Sequence, residues 1–302
     1  MRDDAPPGRA AETRPEIDNP RAILLLAFAA ATISTMHVMA RWLSAEVHPF
    51  EIAFFRNLVA FCVTLPLVWR MGPGAFRTTR PRLHLLRGAL GIVAMLSWFY
   101  ALSITPVAEA TAISFSQVLF TTLAAALFLG DRLGWRRGLA AAVGFLGTLV
   151  MLRPGAGAFE IGGLIVLLSA MFWTASLLCT KVLTRTDHPS VCVFYASCFF
   201  LPTSFLASLF VWSWPSGEAL LLMLVIGLLS AVAHLAMARA LQIGEATAVM
   251  PIDFSRLIFA TLIGWVWLGE LPDATTWLGA LIVVGSALYI TWRESRMKSE
   301  GG

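Results

Sequence analysis

Residues 114–120 read SFSQVLF and residues 253–259 read DFSRLIF, the same pattern 139 positions further on. At that offset Ala101-Leu102 returns as Ala240-Leu241, and Leu129-Gly130-Asp131 as Leu268-Gly269-Glu270. At an offset of 140, Arg41-Trp42-Leu43 with His48-Pro49 returns as Lys181-Val182-Leu183 with His188-Pro189. Glu109-Ala110-Thr111 also resembles Glu245-Ala246-Thr247, at 136, which requires a gap. The chain reads as two copies of one unit.

Each copy is built from long apolar runs. Apolar residues make up 58% of the 302 positions and charged residues 13%, with a mean hydropathy of +0.77. A soluble domain carries about 25% charge, so most of this surface must face lipid. A helix needs about 20 apolar residues to cross a bilayer. Ten such runs occur, near 21–43, 49–69, 83–103, 106–128, 134–152, 160–181, 189–211, 217–239, 246–268 and 274–292. Pro49, Pro106, Pro189, Pro215, Gly244 and Pro272 fall at joints between them. Strict apolar–polar alternation is absent, which argues against a β-barrel. The expected fold is an all-α polytopic membrane protein of ten transmembrane helices, as two inverted five-helix repeats over 21–152 and 160–292.

Basic residues set the orientation. With the N-terminus cytoplasmic, 18 of the 22 Lys and Arg fall in inside stretches. Arg41 and Arg153 fall outside, and Arg56 and Arg256 lie within helices. The positive-inside rule then places both termini in the cytoplasm and the chain in a bacterial inner membrane. Residues 1–20 read as a disordered cytoplasmic tail and 293–302 as a second tail. Because five is odd, the two halves insert in opposite senses. Inverted repeats are the architecture of secondary transporters, with the substrate site near the midplane between halves. Cys62, Cys179, Cys192 and Cys198 lie in apolar runs without a CxxC pair, and read as small buried hydrophobes. The net charge of +4 sits in short loops between apolar runs, so no nucleic-acid partner is expected.

The stretch His48-Pro49-Phe50-Glu51-Ile52-Ala53-Phe54-Phe55-Arg56, the pair Arg87-Gly88, and Trp98-Phe99-Tyr100-Ala101-Leu102 carry a family resemblance. So do Leu129-Gly130-Asp131 and Leu268-Gly269-Glu270. Over 21–292 the chain resembles the EamA branch of the drug/metabolite transporter superfamily. Its first half is most similar to the S-adenosylmethionine uptake transporters, with riboflavin importers as neighbours. The resemblance implies ten helices, both termini inside, and neither ATP nor a covalent cofactor. It fixes neither substrate nor direction. Small multidrug exporters carry a buried Glu in their first helix, whereas no acid lies between Ile23 and Ser44 or between Ile161 and Thr180 here.

A charge at membrane depth costs at least ~2.5–3.5 kcal/mol, which makes each one a functional candidate. Arg56, Asp253 and Arg256 are the candidates. The i,i+3 spacing of Asp253 and Arg256 lets them pair. Pro251 beside them removes a backbone donor and loosens the turn. Two readings stand for the pair: a structural ion pair between halves, or a wall of the substrate path. The three charges leave one cation over, and a substrate carboxylate could complete it. Arg256, whose repeat counterpart is the neutral Gln117, is the expected reader of that carboxylate. Arg56 could instead snorkel outward or pair with Glu51.

Ser114, Ser116 and Gln117 suit a cavity wall or bonds between helices. Trp98, Tyr100 and Trp173 could stack on an aromatic or cationic ligand. Trp42, Trp69, Trp212, Trp214 and Trp292 read as interfacial belt. His37 and His234 read as hydrogen-bonded packing residues rather than proton carriers. HExxH, GxSxG and Walker A motifs are absent, so no enzyme is expected. The expected function is transport of a small organic metabolite by alternating access, S-adenosylmethionine or an amino-acid-like substrate. Riboflavin or another neutral metabolite is the alternative substrate, and a non-transporting membrane sensor the rival class. The expected partners are a small-molecule substrate and the lipid bilayer, and a homodimer is left open.

Overall fold

The structure, a computed structural model, describes residues 18–70, 78, 80–129, 135–152, 161–183, 186–187, 189–244 and 249–300. Residues 1–17 of the expected tail, Gly130-Asp131, His188 and Glu245-Ala246-Thr247 lie outside the described residues.

Among the described residues every regular element is helical. The first five runs appear as α1 (Asn19–Leu43), α2 (Pro49–Trp69), α3 (Pro81–Ile104), α4 (Val107–Ser114) with α5 (Ser116–Leu129), and α6 (Trp135–Leu152). The second five appear as α7 (Ile161–Leu183), α8 (Pro189–Leu209) and α9 (Gly217–Ile243), then a 3-10 turn (Met250–Phe254) with α10 (Ser255–Leu268), and α11 (Ala274–Glu300). Proline opens α2, α3 and α8, where its missing N–H costs nothing. The Asp18 side chain caps α1 by accepting from the Arg21 N–H, and Ser216 caps α9 by accepting from Ala219 at 3.1 Å. Gly269 ends α10 at φ +70, and the Glu270 N–H returns to the Gly264 carbonyl.

Two of the expected continuous helices are broken, both at the repeated heptapeptide. The run expected over 106–128 stops at Ser114 and restarts at Ser116. There the Phe115 N–H reaches back three residues to Ala112 and its carbonyl accepts from Val118. The run expected over 246–268 opens as a 3-10 turn through Pro251, which supplies no N–H. At the other extreme, α11 continues as helix to Glu300, beyond the end expected near 292.

The packing repeats like the sequence. Helix α3 lies on α7 as α1 lies on α9, and α2 on α9 as α8 on α3. Helix α1 packs on α10 as α7 packs on α4 and α5. The contacts of α2 with α8, α4 with α10 and α6 with α11 map onto themselves. At the last of these, a Cβ on Gly279 would sit 2.6 Å from the Gly147 carbonyl oxygen, so the two backbones meet because both residues lack side chains. Where α4 meets α10, Ile113, Phe115, Val38, Leu102 and Ala260 form the buried centre.

Seven of the described helices are long and apolar enough to cross a membrane. They include α1, α3, α7 and α9, and the broken segments Val107–Ala124 and Pro251–Leu268. Large apolar side chains such as Leu24, Phe28, Leu127 and Val266 stand on the outside, as expected of a surface wetted by lipid.

Candidate substrate site

Arg56 lies in α2, enclosed by the bundle yet with some accessible surface left. Its Nε donates to Ser230 Oγ of α9 at 2.9 Å. Its Nη1 reaches Asn57 Oδ1 and the Met95 sulfur, both at 3.3 Å, and the guanidinium stands 5.7 Å from the Phe99 ring centre. Asn57 in turn donates to Ser204 Oγ at 3.1 Å. No carboxylate pairs with Arg56 among the described residues. The Glu51 alternative does not form. Glu51 Oε1 accepts from the Ser213 N–H and Oγ at 3.1 and 3.2 Å, and its other oxygen is buried without a partner.

Asp253 and Arg256 do pair, with Nη2 and Oδ2 2.7 Å apart. Arg256 Nε also donates to the Asp253 carbonyl at 3.4 Å, so the pair staples the 3-10 turn to the first turn of α10. The guanidinium lies 5.3 Å from the Phe115 ring centre, and the Phe115 and Phe254 rings are 4.8 Å apart. These two phenylalanines occupy the same place in the two repeats, so the halves touch at their own break points. Ser34 Oγ of α1 donates to the Arg256 carbonyl at 3.1 Å.

His37 of α1 accepts from Trp98 Nε1 of α3 at 3.1 Å. His234 of α9 lies 2.6 Å from the Ser230 carbonyl through Nδ1. The charges of Arg256, Arg56 and His234 all act on His37, which brings four nitrogen-bearing side chains from α1, α2, α9 and α10 into one neighbourhood.

The sequence-derived candidates divide accordingly. Arg56, Trp98, Asp253 and Arg256 belong to this neighbourhood. Tyr100 does not: two residues from Trp98 on a helix of 3.6 residues per turn, it faces the other way, with its ring 6.5 Å from Phe50. Trp173 stands on an exposed face of α7. Ser114 spends its hydroxyl on the Thr111 carbonyl at 2.6 Å, and Gln117 is half-buried on α5. Ser116 and Ser255, repeat equivalents, both keep a buried hydroxyl without a hydrogen-bond partner. Asn57 and Ser230 are additions. Each was visible as a polar residue in an apolar run, one beside Arg56 and the other a helical turn before His234.

Polar clasps hold the two ends. At the C-terminal end of α3, Arg41 Nε pairs with Glu270 Oε1 at 3.1 Å and its guanidinium bonds the Ser103 carbonyl. Glu270 Oε2 accepts from the Val107 N–H at 3.3 Å. At the N-terminal end of α3, Arg87 donates to Thr180 Oγ1 at 2.6 Å and to the Cys192 carbonyl at 2.5 Å. His84 lies 2.8 Å from Asp187, which also accepts from Thr78 Oγ1. The Thr78 bond foremost, with that of His84, holds the Asp187 carboxyl below its ordinary range.

Helices apolar and long enough to cross a membrane, with ionisable side chains between them, define a polytopic membrane protein. The sequence pattern of the EamA-like transporter family matches twice, over residues 20–153 and 160–292, and the chain belongs to that family. It is 32% identical to the S-adenosylmethionine uptake transporter of Rickettsia felis over 266 residues, covering 88% of this chain and 90% of that protein. It is 33% identical to the riboflavin transporter of Rhizobium johnstonii over 276 residues, 90% and 91% of the two chains. The pseudopaline exporter of Pseudomonas aeruginosa is 28% identical over 89% of this chain and 95% of its own. A solved structure titled "Crystal structure of protein" matches in fold with a TM-score of 0.62 at 20% identity, over 93% of this chain and 99% of that one.

Proposed function

We propose that this chain is a secondary transporter that carries a small carboxylate-bearing metabolite, of the S-adenosylmethionine or amino-acid type, through the plasma membrane by alternating access. It would do so with ten spans in two inverted five-helix halves and both termini cytoplasmic. One observation supports the substrate class above the others. Arg56 is a half-buried cation inside the bundle with no carboxylate partner among the described residues, while Arg256 has Asp253. A charge deep in a bundle demands a counter-charge, and a substrate carboxylate would supply it. The role expected of Arg256 therefore passes to Arg56.

Uptake of labelled S-adenosylmethionine and riboflavin into proteoliposomes tests this. Losing a hydrogen bond to a charged group costs about 1.5–3 kcal/mol, so Arg56→Gln should raise KM by roughly ten- to hundredfold. Arg56→Lys should rescue in part, since an ammonium cannot present the guanidinium fork. A carboxylate-amidated substrate should be carried poorly by wild type. Equal transport of acid and amide sinks the carboxylate reading and favours a neutral substrate, for which the riboflavin-transporter relative speaks. For topology, cysteine probes near Glu46 and Glu218 should label from outside and those near Arg77 and Arg136 should not.

A further inference from the structure

We propose that His234 couples transport to protons. It takes up a proton at Nε2 when a carboxylate settles beside Arg56, so that each carboxylate crosses with one proton. This rests on the carboxylate reading of Arg56.

The two histidines of this neighbourhood, His37 buried and His234 exposed, are held in opposite tautomers. An indole N–H can only donate, so the Trp98 bond at 3.1 Å requires a lone pair on His37 Nε2. A proton there would set two donors face to face and break the bond joining α1 to α3. A backbone carbonyl can only accept, so the 2.6 Å contact with Ser230 requires a hydrogen on His234 Nδ1. The His234 Nε2 then carries the lone pair, and the ring can gain a proton without losing its bond. The side chain remains accessible and shares a helix face with Ser230.

Ser230 also fixes the distance to the cation. Its carbonyl holds His234 and its hydroxyl accepts from Arg56 Nε at 2.9 Å. The charged and titratable groups acting on His234 from neighbouring elements are Arg56 of α2, Arg256 of α10 and His37 of α1. Arg256 carries its own counter-charge in Asp253, and His37 is kept neutral by Trp98. Arg56 is the uncompensated member. Without an anion it opposes a second positive charge at His234, and a carboxylate at Arg56 replaces that repulsion with attraction. Linkage makes the effect reciprocal, so a proton on His234 tightens carboxylate binding by the same factor. Two ligands that favour each other in one site cross together.

The experiment uses purified full-length protein in proteoliposomes loaded with a pH-sensitive dye, with S-adenosylmethionine as the probe. Wild type should acidify the lumen as it imports, and an acid-outside gradient should speed import several-fold. His234→Gln should lose both responses while keeping a reduced but measurable counterflow at equal pH. Import by wild type without lumen acidification, or acidification that survives His234→Gln, overturns the proposal. Unchanged KM in Arg56→Gln overturns the carboxylate reading instead, whatever the protons do. If S-adenosylmethionine is not carried, nitrogen-15 spectra of labelled histidine with acetate as the carboxylate probe decide. At about pH 6, acetate should add a proton at His234 Nε2 in wild type and should leave the His234 ring unchanged in Arg56→Gln. A His234 ring that ignores acetate overturns the coupling.

Discussion

The two halves share a backbone plan and differ in chemistry. At the offsets that align the repeats, His37, Arg56, Ser230, His234 and Arg256 correspond to Leu177, Ala196, Gly91, Met95 and Gln117. The helix pairs that carry the first set, α1 with α9, α2 with α9 and α1 with α10, have counterparts of matching packing that carry the second set. One wall of the bundle therefore holds the basic side chains of the group around His37, and the equivalent positions hold apolar residues and one amide, of which Met95 itself touches Arg56. Under the alternating access proposed above, duplication would supply the scaffold and one wall the binding chemistry.

The largest effect should come from breaking the ion pair on the polar wall. Asp253→Asn leaves Arg256 without a counter-charge, at a cost on the order of 3 kcal/mol for a pair of which about a quarter remains exposed. The yield of folded, monodisperse protein should fall sharply. Adding Arg256→Gln, which copies Gln117 of the other wall, should restore it. If the double variant also transports normally, the pair is structural and leaves the site. If it folds and fails to transport, the pair lines the path.

Charging the neutral wall is the converse. Gln117→Arg places a cation at the equivalent depth on α5, where the position of Asp253 is held by Ser114. The penalty should be about 2.5–3.5 kcal/mol, relieved in part by accessible surface at this half-buried position. Adding Ser114→Asp should recover folded protein, since it rebuilds the i,i+3 pair. Membrane yield of the single and double variants measures this. No recovery would mean that the two walls are not interchangeable environments, and that the symmetry of the packing stops at the backbone.

Most of the architecture was legible because lipid imposes it. Run lengths and the positions of Pro and Gly follow from bilayer thickness and backbone satisfaction, and the helices start and stop close to where those rules place them. The breaks at Phe115 and before Ser255 were not legible from hydropathy, because a broken helix and a continuous one are equally apolar. Pro251 announced one break. Nothing in SFSQ announced the other except its likeness to DFSR. The charges at depth were legible as candidates, but their pairing was not. Asp253 could have served either arginine, and the structure pairs it with Arg256 across the junction of the 3-10 turn and α10. Trp98 and Tyr100 were equivalent as composition, and helical phase separated them.

The smallest expected effect lies away from both walls, at the N-terminal end of α3, and shows whether the clasps as well as the walls differ. The Arg41–Glu270 clasp joins a guanidinium to a carboxylate. The other clasp contains Asp187 with Thr78 and His84, and a carboxyl held below its ordinary range by those bonds. For such a group, the stabilisation is complete above the carboxyl's unfolded value and is lost as pH falls through its lower folded value. Asp187→Asn should therefore lower Tm most at neutral pH, and the gap from wild type should close in the acid range where the native carboxylate takes up its proton. Thr78→Ala removes the leading bond and should cost about 1 kcal/mol, with the same closing of the gap in acid. Glu270→Gln, at the other end of α3, is the parallel measurement. Thermal unfolding in detergent across that range makes the comparison. A gap for Asp187→Asn that stays constant with pH would mean the contact acts through packing rather than charge, and would make the two ends alike.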